Sequence, residues 1–412
     1  MTHSKKADYL VLFALWLMVF SSSSQMMIIA PILPDIGREL RIDPALQGTL
    51  ITAFVLSLGV FALFIGPVSD KVGRRKVILM GCGALSVALL LHALAFDYTS
   101  FLVIRILAGM SGGLLSGAAV SYVGDYFSYE ERGWANGIVM SGIAVGQVLG
   151  IPLGVSLAGI WGYKAPFVFF ALPMAFAFLF TYFKVPQPNV ARLDQPLSLK
   201  HIVVSYRTLL LEKPIQTAVV TYFLQFFSLM LFIVFLPTWL EEEMGLNKYH
   251  IASMYFAGGI ANVTMGPQMG KLSDKIGRKP LIMASSFGMA ILMALSTILM
   301  SNLWVGYMLY FLAMTFVAMR MSPLQALLTA MVPGNRRGTL LSLTVGVGQI
   351  GSGIGSAFAG ALYGTFGFLG NSLLAAAATL VMGIVVWKFL PEPQEQAIPL
   401  PTNLPISPEQ TP

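Results

Sequence analysis

Long apolar runs separated by short polar punctuation make up most of this chain. A bilayer's hydrocarbon core takes about 20 predominantly apolar residues in helical form. Runs of that length recur along the sequence and predict twelve helices, over 9–34, 45–67, 76–97, 100–123, 133–160, 164–184, 215–240, 249–270, 279–301, 303–331, 338–363 and 367–390. The predicted class is an all-α membrane protein. The one long polar connection, 185–214, contains Pro186, Pro188 and Pro196 and reads as a cytoplasmic linker between residues 1–184 and 215–390. Its stretch Leu197–Leu211, with Lys200, His201 and Arg207 interspersed, has the pattern of an amphipathic surface helix. The tail 391–412 is rich in Pro, Glu and Gln and is expected to be disordered.

Composition sharpens this picture. Of the 412 residues 56% are hydrophobic and 10% charged, against roughly 25% charged in soluble globular proteins. A large soluble enzyme needs polar helix faces that are missing here. The formal charge of +7 would suit a nucleic-acid binder, but the basic residues sit in short loops. With the N-terminus inside, Lys and Arg crowd the cytoplasmic loops. Only Arg38, Arg41, Lys164 and Lys248 fall outside, and Arg105 and Arg320 lie within spans. The positive-inside rule therefore puts both termini in the cytoplasm of a multi-pass protein. For a bacterial chain this is the inner membrane. The apolar run after Lys5 and Lys6 is too long for a signal peptide and is read as the retained first helix. Cys82, the single cysteine, cannot form an intramolecular disulfide, and four histidines leave little material for a metal site. No cofactor is implied.

The chain repeats itself. Gly66-Pro-Val-Ser-Asp70-Lys-Val-Gly73-Arg74-Arg75-Lys76 returns as Gly270-Lys-Leu-Ser-Asp274-Lys-Ile-Gly277-Arg278-Lys279. Leu33-Pro34 returns as Leu236-Pro237, Arg132-Gly133 as Arg337-Gly338, and Gly146-Gln147 as Gly348-Gln349. A near-constant offset across half the chain marks a duplication, and paired repeats are a transporter plan. The loop G-x-x-x-D-x-x-G-R-[RK], in two copies, resembles the signature loop of the major facilitator superfamily. Arg105 with Gly109, Gly112 and Gly113 is similar to that family's helix 4 motif. Gly142, Gly146, Gly150, Pro152 and Gly154 resemble the helix 5 motif of its drug and metabolite:proton antiporter branch, although Gly150-Ile151-Pro152 spaces the glycine and proline differently. The resemblance covers about residues 9–390.

That resemblance implies two pseudo-symmetric six-helix halves around a central cavity, and a monomer working by alternating access. It also implies a cytoplasmic latch. Asp70 would accept hydrogen bonds at the start of helix 11, Arg74 would pair with Asp125, and Gly73 would turn the loop. Asp274 and Arg278 would act likewise against helix 5 near Arg132. Helices 5 and 11, with glycines at spacings of about four, are expected at the interface of the halves, where small residues permit close approach.

Ionisable groups inside spans are functional candidates. Arg320 lies mid-helix 10, Arg105 in helix 4, His92 in outer helix 3, and Asp35 at the end of helix 1. No Asp or Glu lies near the centre of a span. Proton coupling would therefore fall to Asp35 or to His92, whose ordinary pKa is near physiological pH. Helices 1, 4, 7 and 10 line the cavity by resemblance, so Gln25, Tyr222, Gln225, Arg320 and Gln325 are candidate substrate contacts, with Gln147 on helix 5. The expected function is secondary-active, proton-coupled export of a small organic or amphipathic compound. A carrier for an anionic metabolite or lipid using Arg320 is the alternative. No nucleophile–base pair or phosphate loop supports an enzyme.

Overall fold

The computed structural model describes residues 5–128, 131–188, 199–330 and 337–390, and every regular element among them is helical. The early elements are α1 (Lys5–Met27), α2 (Leu33–Glu39), α3 (Pro44–Val72), α4 (Arg74–Leu91), α5 (Tyr98–Leu115), α6 (Ala118–Tyr126), α7 (Arg132–Val145), a π-helical turn (Gly146–Gly150), α8 (Ile151–Trp161) and α9 (Ala165–Lys184). After the connection come α10 (Leu199–Leu210), α11 (Lys213–Ile233), α12 (Leu236–Glu242), α13 (Lys248–Ile276), α14 (Arg278–Leu299), α15 (Leu303–Ala330) and α16 (Arg337–Phe389). The expected helix in the linker is thus α10. The expected disordered tail lies outside the described residues.

Among the described residues, ten stretches are long and apolar enough to cross a membrane. The last, Thr339–Phe389, runs for 51 residues and is broken at Gly367, whose backbone turns to φ 60°. The 29-residue α13 is not among the ten. It is more polar than the others, carrying His250, Asn262, Gln268 and Lys271.

Sequence dictates the breaks. Asp43 caps α3 by accepting from the Ala45 N–H at 2.8 Å, with Pro44 in the first turn where no N–H is needed. Asn247 caps α13 in the same way. Gly73 and Gly277 join α3 to α4 and α13 to α14 with φ of 104° and 94°, a region glycine enters without steric penalty. The first and seventh predicted helices are each split, at Pro31–Pro34 and before Pro237, because proline supplies no N–H to the ladder. Pro152 likewise cannot donate, and the π-helical turn sits directly before it.

The repeat is carried in this geometry. α2 and α12 are both 7 residues long, α3 and α13 both 29, and their starting residues differ by the offset seen in the sequence. α1 packs on α7 and α9, α3 on α5, and α4 on α5 and α9; among the later elements α11 packs on α16, α13 on α15, and α14 on α15 and α16. The early and late sets meet through α3 with α16, α8 and the π turn with α13, and α2 with α12.

Candidate functional site

Arg105 is fully buried in α5. Its Nη1 donates to Gln25 Oε1 of α1 at 3.3 Å, its Nε to the Leu50 carbonyl of α3 at 3.4 Å, and its guanidinium lies 4.2 Å from the centre of the Phe54 ring. Gln25, expected as a substrate contact, therefore serves as an internal hydrogen-bond partner. The approach is close because Gly109, one turn on, meets the Phe54 backbone of α3; a Cβ there would lie 2.2 Å from the Phe54 oxygen. Three helices are tied together by one cation.

Arg320 of α15 is equally buried and differently served. Its Nε, Nη1 and Nη2 have no hydrogen-bond partner among the described residues. Met321, its neighbour, receives the side-chain N–H of Gln225 from α11 at sulfur, and Gln225 Oε1 is left without a donor. Tyr222 lies one turn from Gln225 on α11, buried and tilted against Phe226 at 6.0 Å. Of the three sequence candidates, Tyr222 and Gln225 thus lie on α11 and Arg320 on α15, the two helices linked through Gln225 and Met321. Gln325 is exposed on α15. Gln147 accepts from Asn262 of α13 at 3.2 Å and bridges the early and late sets.

His92 closes α4 with its Nδ1 against the Ala88 carbonyl at 2.8 Å and its ring stacked on Phe167 at 4.1 Å. Phe101 covers it edge-on. Asp35 pairs with Arg38 at 2.6 Å, and the same guanidinium reaches Glu241 of α12 at 2.5 Å. Burial disfavours the Arg38 cation, but the hydrogen bonds to Glu241 and Asp35 raise its pKa above the usual arginine value. Glu241 was not nominated from the sequence. The signal was present: Arg38 and Glu241 are separated by 203 positions, the repeat offset of Leu33 and Leu236, so equivalent positions meet with opposite charge.

At the other end of the bundle Arg74 Nε donates to Asp125 Oδ2 at 2.7 Å, the pairing expected for the loop. Arg75 reinforces it by donating to the carbonyls of Thr181 and Tyr182 in α9. The side chains of Asp70, Arg132 and Asp274 lie outside the described residues. Arg278 begins α14 directly after Gly277.

The fifth and eleventh predicted helices do lie at the interface of the two sets, and Gly159 meets Lys248 and Tyr249 of α13, but their glycines spaced by four face their own set. Gly142, Gly146 and Gly150 lie against Trp16, Ser23 and Ser24 of α1 and Gly154 against Ile28 just after it, and Gly351 and Gly355 of α16 lie against Phe223 and Phe227 of α11. A different register crosses the interface. Gly346, Gly353 and Gly360 meet Leu63, Leu56 and Ala45 of α3, while Gly48 and Gly59 of α3 meet Ser356 and Gln349. A four-residue spacing marks a face of a helix but does not say which neighbour that face meets.

The sequence matches the family model of the Major Facilitator Superfamily over residues 15–292 and 218–404. Curated relatives align over most of their length. An uncharacterized MFS-type transporter, YceJ of Bacillus subtilis (strain 168), is 26% identical over 355 residues, covering 85% of this chain and 89% of the relative. Multidrug resistance protein 2 of the same strain is 25% identical over 372 residues, covering 88% and 91%. Among solved structures, a D-xylose-proton symporter superposes with a TM-score of 0.76 at 18% identity, covering 94% of this chain and 99% of that one. A bacterial homolog of the human lysosomal transporter Spinster gives 0.78 at 17% identity, covering 96% and 100%. The chain belongs to the major facilitator superfamily and is a multi-pass membrane protein of transporter rather than enzyme type.

Proposed function

We propose that the chain is a proton-coupled exporter of small organic or amphipathic compounds, built from twelve membrane helices in two six-helix halves, 1–184 and 215–390, and working as a monomer by alternating access. Counting the broken α16 twice and including α13 supports twelve. The duplicated loop with its two positive-φ glycines supports the halves. Both termini and the Gly73 and Gly277 loops face the cytoplasm, in keeping with the distribution of Lys and Arg.

The observation that carries the reading is the closure at the end bearing α2 and α12. There Arg38 joins Glu241 across the halves, the Thr52 hydroxyl donates to the Gly353 carbonyl at 2.6 Å, and Gly360 seats Ala45. That end is the outer one, so this state opens inward. Export begins from such a state, and relatives named for multidrug resistance agree with the direction. Asp35 is the coupling group, since it holds the guanidinium of Arg38 at the outer seal. His92, enclosed by rings, holds helix geometry instead. Tyr222, Gln225 and Arg320 contact the substrate. Asp70 and Asp274 at their loops latch the cytoplasmic side in the opposite state, with Arg132 and Arg278 as partners of the second latch, while Arg74 with Asp125, already paired here, holds the first loop in shape within its own half.

Purified protein in liposomes loaded with a pH-sensitive dye tests this. Adding lipophilic cations, neutral compounds and organic anions one at a time should give protein-dependent proton movement for at least one. Asp35→Asn should abolish that movement while compound binding persists. Proton movement in Asp35→Asn equal to that of the wild type sinks the assignment of Asp35, and silence across the panel sinks proton coupling.

A further inference from the structure

Two guanidiniums lie fully buried among the helices; one is bonded through two of its nitrogens, the other through none among the described residues. Arg105 has Gln25, the Leu50 carbonyl and the Phe54 ring. Arg320 has none of its three nitrogens bonded among the described residues. A buried unpaired cation is among the most costly arrangements a fold can hold, and a protein that only needed packing at this position would carry an apolar residue. The surroundings add direction. Met314 and Val317 precede Arg320 on α15 and belong to one apolar cluster. Leu324 and Leu327 follow and belong to another, together with Tyr222 of α11 and Leu340 and Leu343 of α16. Arg320 stands at the boundary of the two. On α11, Gln225, which donates to the adjacent Met321, holds an unbonded amide oxygen. The buried residues among those described include no Asp or Glu, so no carboxylate of the described core can neutralise the charge.

We infer that Arg320 is the binding point for the anionic group of an amphipathic monoanion, a carboxylate or a group of like shape, whose apolar body lies along the Met314/Val317 or Leu324/Leu327 side. The planar fork of an arginine matches two carboxylate oxygens at once. One free cation fits one negative charge; of Arg105 only Nη2 is left unbonded, the rest being held by Gln25, the Leu50 carbonyl and the Phe54 ring. Gln225 discriminates as well, because its free oxygen accepts and so favours a hydroxyl or amide donor near the anion. This deepens the exporter reading and rests on it for the claim that α11 and α15 border the path.

The test is binding, so that it stands apart from transport. Wild-type protein in nanodiscs is titrated with compounds carrying naphthyl, biphenyl or decyl bodies, each as a carboxylate, an alcohol and a trimethylammonium. At least one carboxylate should bind roughly tenfold or more tightly than its neutral counterpart, the scale of a charge-assisted hydrogen-bonded pair. Arg320→Gln should erase that preference while the alcohols change less than about twofold, and Arg320→Lys should keep only part of it, retaining charge without the fork. No carboxylate preferred on any body, or a preference unchanged in Arg320→Gln, overturns the inference. Because the wild-type comparison needs no variant, a misfolded Arg320→Gln does not shield it. Selective carboxylate binding without proton movement in the liposome assay would leave this inference standing and remove the proton-coupled exporter.

Discussion

Arg105 spends its hydrogen bonds inside the bundle, and the consequence for Gln25 is direct. Removing the amide leaves a buried guanidinium nitrogen without an acceptor, which costs about 1–3 kcal/mol. Gln25→Leu should therefore lower the thermal midpoint of the purified protein, whereas Gln325→Leu, at an exposed position, should leave it nearly unchanged. If Gln25→Leu melts like the wild type, the three-helix tie contributes nothing. Both intramembrane arginines, and Gln25, Tyr222 and Gln225, were legible in the sequence as polar interruptions of apolar runs. Their partners were not. Which of two buried arginines is satisfied depends on the rotation of each helix about its axis, and rotation is set by packing with segments more than 50 positions away. Asp35 shows the same limit: its place at a helix end was readable, but its attachment to Glu241 through Arg38 exists only after α2 and α12 meet.

At the scale of elements, α3 and α16 touch along Gly346, Gly353 and Gly360, a seven-residue period. That period keeps one stripe against a neighbour at a shallow left-handed crossing. Contact is close enough that a Cβ on Gly48 would lie 1.9 Å from the Ser356 oxygen. Gly48→Ala should force the helices apart and raise hydrogen–deuterium exchange in both. At Gly137 of α7 a Cβ meets nothing within 4 Å; Gly137→Ala should be neutral or stabilise by up to about 1 kcal/mol through helix propensity. Equal exchange in Gly48→Ala and wild type would mean that the interface gives way without cost. Helix existence, the linker helix and the loop glycines were all visible in the residue pattern, because length, apolarity and turn chemistry are local. The assignment of glycines to neighbours was not, because it is tertiary.

For the whole molecule, the two ends are held by different chemistry. The end with α2 and α12 carries the Asp35–Arg38–Glu241 chain, in which Arg38 is 60% exposed. An exposed pair is worth only about 0.2–1 kcal/mol. In an equilibrium between two shapes of similar energy, about 1 kcal/mol still changes the ratio some fivefold. Arg38→Ala should increase amide exchange of α2 and α12, and the exchanged pair Arg38→Glu with Glu241→Arg should recover part of the protection. The difference should shrink as salt is raised. Protection of α2 and α12 that is indifferent to Arg38→Ala would move the seal entirely onto α3 and α16.

Cys82 has no exposed surface in the middle of α4. A thiol reacts as its thiolate and needs contact with water to form one, so aqueous maleimides have no target on the native chain. The protein is thereby its own blank for site-directed labelling. A cysteine placed at either mouth of the bundle would be the only one modified from water, and its rate of modification would report which mouth is open in a chain otherwise unaltered.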